Sequence, residues 1–494
     1  MNSKWIFSAA SLIVPCLCWS ARAESDLRAY YNDDFILETA DGDFQLRIRG
    51  NLHLDGRLYQ SEERGAPHSI DIRRARIDLQ GRLHKWFTFR LQPEFAGQPH
   101  IRNAWVDAEV KPWLHVRAGQ MKVPFSSSWV TLDNNVNFVE HATSTPIYPF
   151  FDRGVLVWGE IWDSALVYNL GAFTGVGMDI DNPAGDQDDP KDLAGRLFLQ
   201  PFKNLEWKAA QGIFLVGQGT WGVMSTPTSR FETGGLGSAN YETALWRWRT
   251  EQVIGTDGRM TDQVRATVDS KWRWGAELHY VFRQFSLSIE YLELKYEGIR
   301  LRHNLYAGSS QVAQEHLFEA DGWVRSGSAW VSIYLTGESK ILTDAGWKTP
   351  KPHKNLGDGG YGAFEVLLRY SLTDTDTRLF RKQKVAGFST DNGALPEDFK
   401  GPTPGAGNSV SVSVLDGANR VHEATLGLCW TLNPMVRIQV DDVFLWAPEM
   451  DRDGDGENDN LLVSGAKSNQ SNPNKKNLGS PWENAVMARL ILKI

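Results

Sequence analysis

Short runs in which apolar and polar residues alternate recur along most of the chain, separated by turns. In 86–94, Phe87, Phe89 and Leu91 point one way and Thr88, Arg90, Gln92 and Glu94 the other. In 271–283, Trp272, Trp274, Ala276, Leu278, Tyr280 and Phe282 form an apolar face. Lys271, Arg273, Glu277, His279 and Arg283 form the polar one. The final residues repeat the pattern, with Val486, Ala488, Leu490, Leu492 and Ile494 alternating against Met487, Arg489, Ile491 and Lys493. Sixteen strands can be drawn on this basis: 43–58, 69–83, 86–96, 100–111, 113–121, 153–162, 164–175, 192–201, 205–216, 270–283, 285–297, 321–336, 361–373, 420–433, 435–447 and 482–494. Helical periodicity is scarce, and no stretch after residue 24 has the long apolar run of a membrane helix. The chain reads as all-β.

Alternation fits two architectures. In a soluble sandwich the apolar face is a core; in a membrane barrel it meets lipid and the polar face lines a lumen. Three features favour the barrel. Trp86, Trp113, Trp162, Trp430 and Trp446 sit near strand ends, where rings match the headgroup level. Connections alternate between short turns (83–85, 111–112, 163, 201–204, 284, 433–434) and long loops (122–152, 176–191, 217–268, 298–320, 374–419, 448–481). The chain ends in a strand. The expectation is a transmembrane antiparallel β-barrel of 16 strands with short periplasmic turns and long extracellular loops. One connection, 337–360, breaks the alternation: it belongs on the periplasmic side yet is long.

Composition is compatible with this. A mean hydropathy of −0.37 excludes a bundle of membrane helices but not a barrel, in which only every second residue meets lipid. Residues 1–23 read as an export signal, with Lys4, an apolar stretch and Ala21-Arg22-Ala23 before the cut. Residues 24–42 then form a short periplasmic segment and 43–494 the barrel. Losing Lys4 and Arg22 takes the basic residues from 52 to 50 against 60 acidic ones, so the net charge moves from −8 to −10. Cys16 and Cys18 leave with the signal, and the remaining Cys429 allows neither an internal disulfide nor a zinc cluster. A sequence pI near 5.8 argues against nucleic acid as a partner.

Several segments resemble the phosphate-selective porin O and P family of Gram-negative outer membranes: LETADGDFQLRIRGNLHLDGRLY (37–59), RRARIDLQGRLHKWFTFRLQPEFAG (73–97), IRNAWVDAEVKPWLHVRAGQMKVPF (101–125), YLTGESK (334–340), GAFEVLLRYS (362–371) and LGLCWTLNPMVRIQV (426–440). The resemblance implies a homotrimeric, sixteen-stranded porin in the outer-membrane lipid. It also implies anion flow along an Arg- and Lys-rich path, and an inward-folded constriction loop at 122–152. The family has a long connection at 337–360 too. Two departures bear on phosphate selectivity. Phosphate-selective members carry a lysine before the Trp-Val-Thr tripeptide of the inward loop, where this chain has Ser128 before Trp129-Val130-Thr131. An arginine after the glycine of the first strand is replaced by Asn51, with Arg57 nearby.

Candidate pore residues follow from the polar faces. Arg73, Arg74, Arg76 and Arg82 crowd the second strand, and the even positions from Arg74 onward should face the lumen. Arg90, Arg117 and Lys122 extend the basic wall, with Ser128, Trp129 and Thr131 on the constriction loop. Arginine suits oxyanions because its planar fork donates two hydrogen bonds and stays charged. The competing structural reading pairs these arginines with Asp78, Glu94, Asp107 and Glu109 as cross-strand stiffeners. The 451–459 segment has Asp451, Asp453, Asp455, Glu457 and Asp459 at spacing that suits calcium, but Leu462 stands where a calcium loop needs its bidentate Glu. No nucleophile, base and orienter assemble, so no catalytic residue or cofactor is expected. Two functional alternatives stay open: a porin for organic acids or oligosaccharides, with Trp246, Trp248, Trp272 and Trp274 as stacking surfaces, or a secreted soluble β-sheet binding protein.

Overall fold

Sixteen antiparallel strands close into one barrel in the computed structural model. They are Phe44–Ser61, Ser69–Leu83, Phe87–Glu94, His100–Lys111, Leu114–Lys122, Phe151–Ile161, Leu166–Phe173, Asp192–Leu199, Ile213–Val223, Ser270–Phe282, Phe285–Ala307, Ser310–Tyr334, Ala363–Thr375, Arg420–Asn433, Val436–Trp446 and Trp482–Lys493. The last strand pairs back onto the first, from Glu483 opposite Ser61 to Lys493 opposite Asn51, which leaves no open edge in the wall. The structure describes residues 27–61 without 33, 68–175 without 98, 191–223, 246–307 without 249–250 and 255–259, 310–385 without 382, and 410–493 without 413–414, 453, 455, 457 and 463–479. The expected export signal lies outside them.

Strand parity places the faces as the alternation predicts. Along Ser270–Phe282, Trp272, Trp274 and Leu278 are exposed on the outer surface, while Lys271, Arg273, Glu277 and His279 are buried on the lumen side. Trp272 and Trp274 therefore face lipid and offer no stacking surface to a solute in the pore; the side chains of Trp246 and Trp248 fall outside the described residues. Exposed Trp86, Trp113, Trp162 and Trp207 ring the periplasmic turns. Towards the other rim, Trp221 meets Trp272 at 6.2 Å and Phe444 stacks on Trp482 at 6.1 Å. Amphipathic rings at both ends match a membrane interface. No helix among the described residues is long and apolar enough to cross a membrane.

Three expected boundaries are corrected. The ninth strand runs Ile213–Val223 rather than 205–216, because Lys208–Gln211 makes a helical turn; its two adjacent alanines are strong helix formers. The expected 298–320 loop is mostly strand: Phe285–Ala307 and Ser310–Tyr334 span 23 and 25 residues, and their pairing continues to Ala307 opposite Ser310. A membrane-spanning strand needs only about 9–11 residues, so this ribbon rises well beyond the bilayer. Within the expected periplasmic segment, Leu27–Tyr31 and Phe35–Thr39 form a hairpin. It pairs with Gln45–Ile48, below the point where the last strand ends.

The lumen is not evenly filled. On the strands from Phe285 onward, apolar residues occupy stretches of the inner face: Leu292, Leu294, Tyr296, Val324, Val421, Val443, Leu445 and Met487 are all essentially inaccessible. Loop residues fold in over them, including Phe125, Ile147 and Tyr148 of the inward loop, Leu379 and Phe380, and Leu415 and Leu462. Burying each such side chain contributes on the order of 1.5–3 kcal/mol. One half of the barrel thus holds a hydrophobic core among the described residues, and a cavity of about 730 Å³ lies along the opposite wall.

Candidate functional site

The inward loop, 123–150, crosses the lumen from the fifth strand and is pinned to the far wall by lumen-facing carboxylates. Glu277 accepts the Ser127 N–H at 3.0 and 3.1 Å, Asp441 the Val139 N–H at 2.6 Å and Glu423 the Thr143 N–H at 3.0 Å. Its α-helical turn, Ser127–Val130, starts at Ser126, whose hydroxyl accepts the Ser128 N–H at 3.1 Å and donates to Glu290. Acid on the far wall is thereby committed to holding backbone.

On the near side the loop supplies two acids of its own. Asp133 receives Arg74 at 3.4 Å and also Arg76. Glu140 receives Arg57 at 2.5 Å, Arg489 at 3.5 Å and Arg73 at 3.8 Å. Burial alone would raise both carboxyls, but the surrounding cations outweigh it. Arg74, Arg76 and Lys122 hold Asp133 well below the ordinary carboxylate range, and Arg57, Arg73 and Arg489 do the same for Glu140. Burial, then the Lys122 charge, lowers neighbouring His141 to about 4. Arg73 and Arg74 both reach lumen acids although they are adjacent, because the register shifts between His53 and Leu54 and leaves Arg73 as the extra residue of a bulge.

The 335–362 connection, the one whose length broke the pattern, turns up into the barrel. Its short hairpin, Ile341–Thr343 with Gly346–Lys348, meets the inward loop inside the lumen. Gly346, at φ +90°, lies against Thr131, and the Trp347 N–H donates to Thr131 Oγ1 at 2.9 Å. The Trp347 ring is 1% exposed, edge-on to Trp330 at 4.8 Å and His279 at 5.4 Å. Lys340 bonds Asn137 of the inward loop and Glu365 of the wall, both at 2.7 Å. Asp344 takes Arg196, which also reaches Ser127 Oγ at 3.1 Å. Two loops, one from each side of the membrane, thus lock together.

Between them and the wall built by the first eight strands runs a cavity of about 730 Å³. It extends from Glu160, Ser164 and Lys203 at the periplasmic turns up to Lys122, Val130 and Asp133. Eight of its lining residues are Lys or Arg and four are Asp or Glu. Of the expected pore residues, Arg76, Arg90, Arg117 and Lys122 line it. Arg90 is held by Asp78 through two bonds of 2.9 and 2.8 Å, and Arg117 by Asp107 at 2.8 Å. Glu94 and Asp107, which pair with Arg76 and Arg117, are 2% exposed and lie outside the cavity lining, so the guanidiniums are what the space meets.

The other expected pore residues lie elsewhere. Arg73 and Arg74 hold the loop acids, and Arg82 is exposed near the periplasmic end of its strand without lining the cavity. Ser128 and Thr131 border a separate small void of about 40 Å³ on the closed side. Trp129 packs in the loop core, where the Lys122 ammonium sits 4.7 Å from its ring centre and donates to the Trp129 and Thr131 carbonyls at 2.8 Å each. Sequence reasoning missed Asp133, Glu140, Arg196, Asp344 and Lys348. The only prior signals were two acids in a loop facing a run of arginines, and a periplasmic connection too long for a turn.

In the 451–459 segment, Asp451 accepts the Gly454 and Gly456 N–H groups at 2.6 and 2.9 Å, and Asp459 accepts Arg452 N–H at 2.9 Å. Asp453, Asp455 and Glu457 fall outside the described residues. Among those described, no group of three or more His, Cys, Asp or Glu could hold a metal. Cys429 is buried, with Arg437 donating to its sulfur at 3.2 Å.

No curated protein matches the chain. Among solved structures it is similar to OmpT of Vibrio cholerae (8% identity, TM-score 0.44, covering 94% of this chain and 100% of that one). It is also similar to OmpF of Salmonella typhi in complex with daunomycin (10%, 0.42, 94% and 100%) and to the outer-membrane channel DcaP of Acinetobacter baumannii (9%, 0.44, 92% and 99%). The family model for phosphate-selective porin O and P matches residues 46–441. That match runs from the first barrel strand to the fifteenth and takes in both lumen loops: the chain is an outer-membrane porin of the phosphate-selective porin O and P family.

Proposed function

We propose that this porin is a passive diffusion channel that prefers anions, conducting along one side of its lumen. The observation that supports this best is the lining of the 730 Å³ cavity, with twice as many cations as carboxylates. An ion in a narrow passage feels the charges that line it, and groups recessed behind them act at longer range. The recessed positions of Glu94 and Asp107 leave donors facing the space. Lys122 and Lys348 reinforce this, since neither forms a close ion pair with a carboxylate among the described residues. The net negative charge of the chain does not oppose it, because the far-wall acids Glu277, Glu423 and Asp441 are engaged by the inward loop.

Inorganic phosphate is one anion that such a wall can pass, and the family name points to it. Ser128, in place of the family's lysine, contributes no charge and borders the closed side, so the support for phosphate is the basic wall alone. A channel needs no catalytic constellation, only fixed charges that attract an ion without trapping it. The test is flux from liposomes reconstituted with the protein. Chloride released well ahead of potassium supports the reading, and potassium released first contradicts it.

A further inference from the structure

The cavity that carries the anion reading has a second character which a path for small hydrated ions does not need. Twelve of its lining residues are apolar, and four of those, Trp105, Phe151, Trp158 and Phe198, are aromatic. Three of the eight lining cations lie over these rings. The Arg117 guanidinium lies 4.1 Å from the Trp105 ring centre and 5.4 Å from that of Trp158. Lys122 lies 5.8 Å from Phe151, and Arg196 the same distance from Phe198. Trp158 is fixed in place by its indole N–H, which donates to Asp107 at 2.7 Å, and by His115 stacked on it at 4.0 Å. Asp107 also takes Arg117 Nε at 2.8 Å. One carboxylate therefore orients both the guanidinium and the indole beside it, and the terminal nitrogens of Arg117 meet no carboxylate among the described residues.

From this juxtaposition we infer that the channel favours organic anions that join a carboxylate to an apolar or aromatic body, an inference that rests on the anion reading above. A carboxylate can take the open side of the Arg117 fork while its body lies against Trp105 and Trp158. Guanidinium and ring recognise the two halves of one solute. Inorganic phosphate gains less here. Its charge is spread over oxygens on all sides and is strongly hydrated, and an indole wall returns none of the hydrogen bonds it would give up. The apolar lining continues along the passage through Leu132, Leu156 and Leu342, so the body of the solute has surface to follow beyond one contact point.

The experiment is block of chloride current through single channels in planar bilayers by benzoate, acetate and phosphate added separately. Chloride selectivity is measured first on the same channels. If they are cation-selective, the anion reading fails and this inference with it. If they are anion-selective, benzoate is expected to block at a several-fold lower concentration than acetate, which carries the same carboxylate without the ring, and than phosphate. Equal block by benzoate and acetate, or tighter block by phosphate, overturns the inference while leaving the anion reading standing. Trp105→Leu keeps an apolar side chain but removes the ring under Arg117. It is expected to weaken benzoate block by about three- to tenfold, the range for loss of one aromatic contact, and to leave acetate block within about twofold. Unchanged benzoate block in Trp105→Leu also overturns the inference. The comparison of the three anions on the wild-type channel stands whether or not the variant folds.

Discussion

Replacing Gly346 by alanine acts on a close contact between the periplasmic connection and the inward loop. A Cβ built there falls 2.6 and 2.7 Å from the Thr131 Cα and N, and closer still to its hydroxyl. Carbon atoms rest about 3.5–4.0 Å apart, so the hairpin has to retreat by about 1 Å. Two costs add. The φ of +90° is foreign to alanine, at about 1–2 kcal/mol, and the wedge adds about 1–3 kcal/mol of overpacking. Gly357 in the same connection has φ +94° with nothing within 4 Å of its Cβ position, so Gly357→Ala carries the first cost without the second. The hairpin bears Leu342, Asp344 and Lys348, which line the 730 Å³ cavity. Moving it away from Thr131 also strains the Trp347 bond at 2.9 Å. Gly346→Ala is therefore expected to give larger and noisier single-channel conductance than wild type, and Gly357→Ala wild-type conductance. The reasoning is refuted if the two alanines behave alike, or if Gly346→Ala leaves conductance unchanged.

Other consequences can be checked on the same preparation. Arg489 of the last strand grips Asp55 of the first through two bonds of 2.7 Å, with both side chains 1% exposed. Arg489→Gln leaves buried Asp55 at the barrel seam with Arg57, at 2.8 Å, as its remaining cation. The loss of the two charged hydrogen bonds is expected to cost about 1.5–3 kcal/mol, read as a lower temperature for conversion of the compact gel band to the unfolded one. The seated inward loop should respond to pH in two stages. His141, lowered to about 4 from 6.5, resists protonation only while seated. Loop attachment is thus full above about pH 6.5 and weakens towards about 4, by on the order of 3 kcal/mol. Asp133 and Glu140 have depressed pKa values, so their contribution persists above the ordinary carboxylate pKa and is lost only at more acidic pH. Open-channel noise recorded against pH should rise first in the upper window, and His141→Gln should remove that rise alone. Finally, the protein extracted in mild detergent is expected to run as a homotrimer that dissociates on heating; monomer alone by light scattering would oppose this.

The wall was legible in the sequence because lipid and lumen impose opposite chemistry on alternate residues. Strand ends at Ser69, Leu83, His100, Lys111, Arg420 and Asn433 coincide with the expected ones. The lumen was less legible, for three physical reasons. A period of two says which residues point inward but not what fills the inside. Leu292, Leu294, Val443 and Leu445 face inward and are apolar because loops cover them, while Glu293, Lys295 and Asp442 beside them face outward, so the local alternation is reversed there. Long-range pairing has no local mark, so Asp133 and Glu140 could not be matched to arginines 57 to 349 residues away. A bulge breaks parity at Arg73 and leaves no composition signal. The basic face of Arg76, Arg90 and Arg117 was readable, and both readings of it hold in part: each guanidinium has a carboxylate partner, and each also lines the passage.

On the proposed reading, fixed cations along one side of the lumen set the ionic preference of the pore. The zero-current potential across a planar bilayer holding the protein, under a KCl gradient at neutral pH, reads that preference. The expected sign marks chloride as the more permeant ion, with a smaller potential when Lys348 and Arg117 are both replaced by glutamine. A potential of the opposite sign in the wild-type channel would contradict it.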